Sequence, residues 1–281
     1  MARSSLVLLA LLAGCTTSPI TGREQYIVVS ESQAVSQSAA AYSQMMADLN
    51  KKKKIETGTP RVQKVKEITD KLVKEAVRVR PDAASWAWEV QVIDDPKTVN
   101  AFCMAGGKMA IYTGMWDQLK ASDDEIAQVM GHEIAHALAD HTRERMSIAM
   151  TTAVATTAAA VIVGTRDNSG PGAGLALTGA QLAAVLAIQL PNSRQGESEA
   201  DQIGIELAAR AGYDPKAAVT LWQKMGKLGG GKSPEFLSTH PSPENRAARL
   251  AELGTQVQPL YEAARAGKPT DTPKLITFPR K

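Results

Sequence analysis

Two histidines four residues apart, His132 and His136, flank Glu133 in the run His132-Glu133-Ile134-Ala135-His136. On a helix this spacing puts the imidazoles one turn apart, offset by about 40°, so that both can reach a single ion. Glu133 falls within the same arc. It is poorly set to be a third ligand but well set to reach a water on the metal. Zinc lowers the pKa of such a water from 15.7 to about 7, and a neighbouring carboxylate can take its proton as it attacks a peptide carbonyl. A catalytic zinc also needs a third protein ligand and one open position. The best candidate for that ligand is Glu197, in Ser193-Arg194-Gln195-Gly196-Glu197-Ser198-Glu199-Ala200-Asp201. Glu197 and Asp201 are four apart and share a helix face. Taken alone, this stretch reads more readily as a solvated acidic face.

The helix that must carry the two histidines has a legible start. Ser122-Asp123-Asp124-Glu125 is a capping box with an acidic first turn. Ile126, Met130, Ile134 and Leu138 then form a row at i, i+4. At about 100° per residue that row points away from His132, Glu133 and His136, so one face is for the core and the other for chemistry. His141 lies about 140° round the helix from His136 and is read as a non-ligand. Upstream, residues 30–49 and 60–79 carry helical patterns. Residues 85–93, 99–104 and 108–112 read as strands, with Gly106-Gly107 as a hairpin turn. From Ser122 onward the pattern is helical.

The chain has 281 residues, 44% of them apolar but only 4% aromatic. A core built from Ala, Leu, Val and Ile favours closely packed helices over a sandwich. The expected fold is therefore α+β: predominantly helical, with one small antiparallel sheet beside the active helix. If 99–104 is an edge strand, an extended substrate could add to it through main-chain bonds. The net charge is +3, and Lys51 to Lys54 is the one basic run, which a solvated helix end explains. Nucleic-acid binding is excluded on that basis.

Residues 1–14 read as a signal peptide. Arg3 supplies its positive end and Leu6 to Ala13 an apolar stretch too short to span a bilayer. Leu12-Ala13-Gly14-Cys15 resembles the lipobox of bacterial lipoproteins, so Cys15 is expected to carry a diacyl anchor that attaches the protein to a membrane. Residues 15–30 are expected to be anchor and tether, with Thr16-Thr17-Ser18-Pro19 as a short polar link. Thr16 after the anchor, rather than Asp, leans towards the outer membrane by the sorting pattern of such lipoproteins. Cys103 has no intramolecular partner and reads as a buried strand residue. Residues 146–165 and 168–193 carry no charge but are rich in Ala, Thr and Gly. They read as a buried or surface-lying helical hairpin, not a membrane span.

His-Glu-x-x-His, followed some sixty residues later by Ser-Arg-x-x-Glu-x-x-Ala-Asp, resembles the M48 peptidase family. The branches of that family include CaaX prenyl proteases, HtpX-like proteases and a set of bacterial lipoproteins. Asn100-Ala101-Phe102 with Gly106-Gly107, Thr239-His240-Pro241, Arg246 and Thr21-Gly22-Arg23 are further matches. The likeness covers about residues 19–255. It implies a metalloprotease domain of zincin type over residues 31–255, leaving 256–281 as a C-terminal tail that resembles nothing. It implies that His132, His136 and Glu197 bind one Zn2+ and that Glu133 is the general base. Asp201 would orient a zinc histidine or donate a proton. His240 would stabilise the oxyanion, or close the zinc's open position and hold the enzyme latent, or merely start a helix before Pro241. The implied substrates are misfolded or stalled envelope proteins on the periplasmic face of the outer membrane. The competing reading is a chaperone-like assembly factor whose protease activity His240 suppresses.

Overall fold

The computed structural model describes residues 15–162, 193–228, 235–240, 245–269 and 275–278. The signal peptide, the second charge-free stretch and Gly229 to Gly231 lie outside them. The chain opens with a hairpin, β1 (Cys15–Thr17) against β2 (Glu24–Tyr26), closed by a turn in which Ser18 N–H donates to Arg23 O. The stretch expected as a polar tether is thus largely folded, because Ser18 and Thr21 hydroxyls accept the backbone N–H groups that a loose link would leave to water. Helix α1 (Glu31–Lys51) starts in a Ser30–Gln33 capping box, and α2 (Pro60–Val79) starts at Thr59 with Pro60 in its first turn. Val65, Ile68, Leu72 and Ala76 line the buried face of α2.

Four strands form the second sheet: β3 (Ile55–Glu56), β4 (Glu89–Ile93), β5 (Ala101–Met104) and β6 (Lys108–Tyr112), in the order β3-β4-β6-β5. The α+β, mainly helical class holds, with a finer difference. β5 and β6 pair antiparallel across Gly106-Gly107 as expected, whereas β4 and β6 pair parallel. The chain leaves β4 and places β5 one position out, so the hairpin folds β6 back into the gap, running with β4. Gly107 makes that fold possible: at φ +82° a Cβ would sit 2.6 Å from the Trp88 ring. β5 is an edge strand, but all four of its residues are buried.

After a short helix, α3 (Gly114–Asp117), the expected capping box starts α4 (Asp123–Leu138). Ile126, Met130, Ile134 and Leu138 are fully buried. Then follow α5 (His141–Ile162), α6 (Arg194–Arg210), α7 (Lys216–Lys227), α8 (Glu235–Thr239) and α9 (Arg246–Arg265). α4 and α6 touch backbone to backbone at Gly131 and Gly204. A Cβ on Gly204 would lie 2.7 Å from the His132 backbone nitrogen, so any side chain there would push α6 off the metal-facing helix. Among the described residues no helix is long and apolar enough to cross a membrane. α9 runs past residue 255, so the boundary expected there falls inside a helix. The tail then returns to α6, where Glu206 accepts the N–H groups of Ile276 and Thr277 and pairs with Arg210.

Candidate metal centre

α4 presents His132, Glu133 and His136 on one face, α6 brings Glu197 opposite, and the end of α8 brings His240. The ligand atoms of His132, His136, Glu197 and His240 all lie within 4.8 Å of one another, and all four residues are buried. This is a group that could hold a metal ion. The Nε2 atoms of His132 and His136 are 3.1 Å apart. His132 Nε2 is 3.2 Å from Glu197 Oε2, and His136 Nε2 is 3.3 Å from Glu197 Oε1. Glu197 Oε1 is buried and accepts no hydrogen bond.

The far side of each imidazole sets which nitrogen faces the cluster. His132 Nδ1 is 3.1 Å from Asp201 Oδ1, which also accepts from Arg246 at 2.6 Å. A carboxylate can only accept, so it assigns the proton to Nδ1 and leaves the Nε2 lone pair for the cluster. His136 Nδ1 is 2.8 Å from His141 Nδ1, whose Nε2 is 2.8 Å from Glu199 Oε2. His240 Nδ1 lies 3.1 Å from Phe236 O and 2.9 Å from Thr239 Oγ1. The carbonyl again assigns the proton to Nδ1 and leaves Nε2 bare, 3.2 Å from Glu133 Oε1. The Phe236 ring stacks on His240 with centroids 4.2 Å apart, and Phe236 N–H donates to Val99 O just ahead of β5.

The electrostatics favour a cation at the centre. Burial works against a charged His132, yet Glu197 and Asp201 hold its pKa up to about 9. Burial also opposes charge on Glu197, but the surrounding imidazoles, His240 and His132 foremost, keep its carboxyl well below the usual range. Burial drives His136 well down and His240 down to about 3, leaving both neutral at neutral pH. Burial pushes the Glu133 carboxyl up to about 8, with His132 pulling the other way. That is the range in which a carboxylate exchanges protons near neutral pH. Cys103 lies buried in β5, and burial raises its thiol well above the ordinary value.

Every residue expected at the site on α4, α6 and α8 is there. Cys15, exposed at the start of β1, stands apart as its separate lipidation role requires. His141 is outside the ligand set, as read. Its contact with His136 was not foreseen, because the helix breaks at Asp140, in left-handed backbone at φ +59°, and a 140° offset applies only to an unbroken helix. Glu199 and Arg23, which continue that contact, were also missed as site residues. No local pattern links positions 176 residues apart.

The sequence profile of peptidase family M48 matches residues 60–254. The chain is 39% identical over 185 residues to the mitochondrial metalloendopeptidase OMA1 of Arabidopsis thaliana, covering 65% of this chain and 35% of that protein. It is 32% identical over 257 residues to the mitochondrial metalloendopeptidase OMA1 of Bos taurus, covering 87% of this chain and 47% of that protein. The beta-barrel assembly-enhancing protease of Escherichia coli is 30% identical over 164 residues, covering 58% of this chain and 34% of that protein. The chain spans about a third to a half of the length of these curated relatives.

Proposed function

The chain belongs to peptidase family M48, and on that premise we propose that it is a zinc-dependent endopeptidase that cuts misfolded or stalled proteins of the bacterial cell envelope. The observation that carries this is the four-residue cluster beside Glu133. Ligands about 2.0–2.1 Å from a tetrahedral zinc are separated by about 3.3–3.4 Å. The distances of 3.1, 3.2 and 3.3 Å among His132, His136 and Glu197 suit that figure. So do the bare Nε2 lone pairs and the unpartnered Glu197 oxygen, groups that would repel one another without a shared cation. The residues therefore fit the ion.

His132, His136 and Glu197 would hold zinc, which supplies Lewis acidity to make water a nucleophile near neutral pH and to polarise a peptide carbonyl. Glu133 takes the proton of the attacking water and returns it to the leaving amine. Asp201 holds His132 in the ligating tautomer, and Arg246 holds Asp201. His240 points its lone pair at the same centre and carries no Nε2 proton to give an oxyanion, so we assign it the latch role in this state. The backbone supports a latent state too. An extended substrate adding beyond β5 would compete with Phe236 for Val99 O, so the segment that carries His240 blocks both the metal and the strand edge. This favours the second reading as one phase of the same protein: a latent envelope assembly factor that becomes a protease when His240 withdraws.

Zinc analysis of the purified mature chain tests the ligand set. We expect about one zinc per chain, and far less for Glu197→Ala. An unchanged zinc affinity in that variant would sink the assignment. The envelope location rests on the lipobox-like Cys15 and on relatives named for β-barrel assembly, while other relatives are mitochondrial. Domain limits of 1–14, 15–30, 31–255 and 256–281 remain our reading. Cys15→Ala, exported by an intact secretion signal, should leave the membrane fraction without detergent. Retention in that fraction would point instead to residues 146–193.

A further inference from the structure

We propose that Arg23, close behind the expected anchor cysteine, is a positioning residue of the metal centre that acts through Glu199 and His141 to fix the tautomer and aim of His136. The proposal rests on the metal reading of the cluster and adds the N-terminal hairpin to it. Arg23 Nε donates to Glu199 Oε1 at 2.7 Å. Its two terminal nitrogens donate to Glu144 Oε1 at 2.9 Å and Oε2 at 2.7 Å, tying α5 to α6. Glu199 Oε2 is 2.8 Å from His141 Nε2, and His141 Nδ1 is 2.8 Å from His136 Nδ1. His141 and Glu199 are both buried.

These contacts leave one consistent assignment of protons. An arginine can only donate and a carboxylate can only accept, so His141 carries its proton on Nε2 and offers its Nδ1 lone pair. His136 must then carry its proton on Nδ1, which frees Nε2 for the metal. His132 reaches the same state directly through Asp201 and Arg246. The two histidines thus have matching supports, each ending on a carboxylate held by an arginine. For His136 the support runs through an extra imidazole and out to the N-terminal segment.

Arg23 is itself held. β1 pairs with β2 from Cys15 opposite Tyr26 to Thr17 opposite Glu24, and Arg23 N–H donates to Thr21 Oγ1. Gly22 at φ +72° lets the turn close. Without Arg23 the Glu199 carboxylate loses its counter-charge, and nothing then holds it on His141. His141 is free to move its proton to Nδ1, where it would face the Nδ1 proton of His136. His136 relieves that clash by taking the tautomer that cannot ligate.

Zinc affinity, measured on the full mature chain by competition with a chelator, tests this, together with the visible spectrum of the cobalt-substituted protein. Arg23→Ala and His141→Phe should each weaken zinc binding by roughly 10- to 100-fold and alter the cobalt spectrum, the usual consequence of losing a support behind a metal histidine. Arg23→Lys, which keeps charge but loses the fork, should fall between wild type and Arg23→Ala, and it carries the test should Arg23→Ala fail to fold. Wild-type zinc affinity and cobalt spectrum in the Arg23 variants would overturn the proposal, whatever their thermal stability. Loss of affinity in His141→Phe alone would also overturn it, leaving Arg23 a purely structural clamp. Glu197→Ala is the control for the underlying reading. If that variant keeps its zinc, the metal centre is wrongly assigned, an outcome visible apart from any Arg23 result.

Discussion

Glu133→Gln is expected to keep the fold and the metal and to lower peptide hydrolysis by roughly 10²- to 10⁴-fold. The amide is nearly the same size, so the packing of α4 beneath β5 is kept. It cannot accept the proton that the attacking water must lose. Glu133 is suited to the task because burial lifts its carboxyl to about 8, with His132 opposing, so it takes and returns a proton near neutral pH at little cost. Cleavage of casein, with zinc content measured on the same sample, separates loss of base from loss of metal. Near-normal turnover of an unstructured substrate by the Gln variant would remove Glu133 from the mechanism.

His240→Ala is expected to act in the opposite direction and raise proteolysis. His240 is neutral, offers a bare Nε2 to the centre, and has its Nδ1 proton held by Phe236 O. If molecules with His240 withdrawn make up roughly 0.1–10% of the population, as is common for minor states, removing the side chain should raise the rate about 10- to 10³-fold at saturating substrate and zinc. A His240 that served as an oxyanion donor would give the reverse, a fall of about 10²- to 10³-fold. Casein cleavage by His240→Ala at saturating zinc reads the sign directly. A large fall ends the latch reading, and an unchanged rate leaves His240 a structural residue at the end of α8. Because Phe236 also holds Val99 O ahead of β5, an activated variant should bind extended peptides more tightly as well.

The reaction centre was legible wherever its logic is local. The spacing of His132, Glu133 and His136 sets them on one helical arc whatever surrounds them. The Ser122 capping box and the buried row from Ile126 to Leu138 fix where that helix starts and which face it hides. Glu197 and Asp201 share a face of α6 for the same reason. Resemblance, not spacing, made Glu197 the third ligand. Tertiary structure alone decided the rest, because it depends on which helices meet. The Gly131–Gly204 contact brings α6 close enough for Glu197 to reach both histidines, and it aims Asp201 at the back of His132. The break at Asp140 swings His141 back onto His136 and undoes the angular reckoning that had excluded any contact. The parallel pairing of β4 with β6, the return of the tail to Glu206 and the reach of Arg23 to Glu199 likewise join residues far apart in the chain. Periodicity and capping report on a residue's neighbours within a turn or two. A buried carboxylate takes whichever cation the finished packing brings within hydrogen-bond distance, and nothing in its own stretch of sequence records which one that will be.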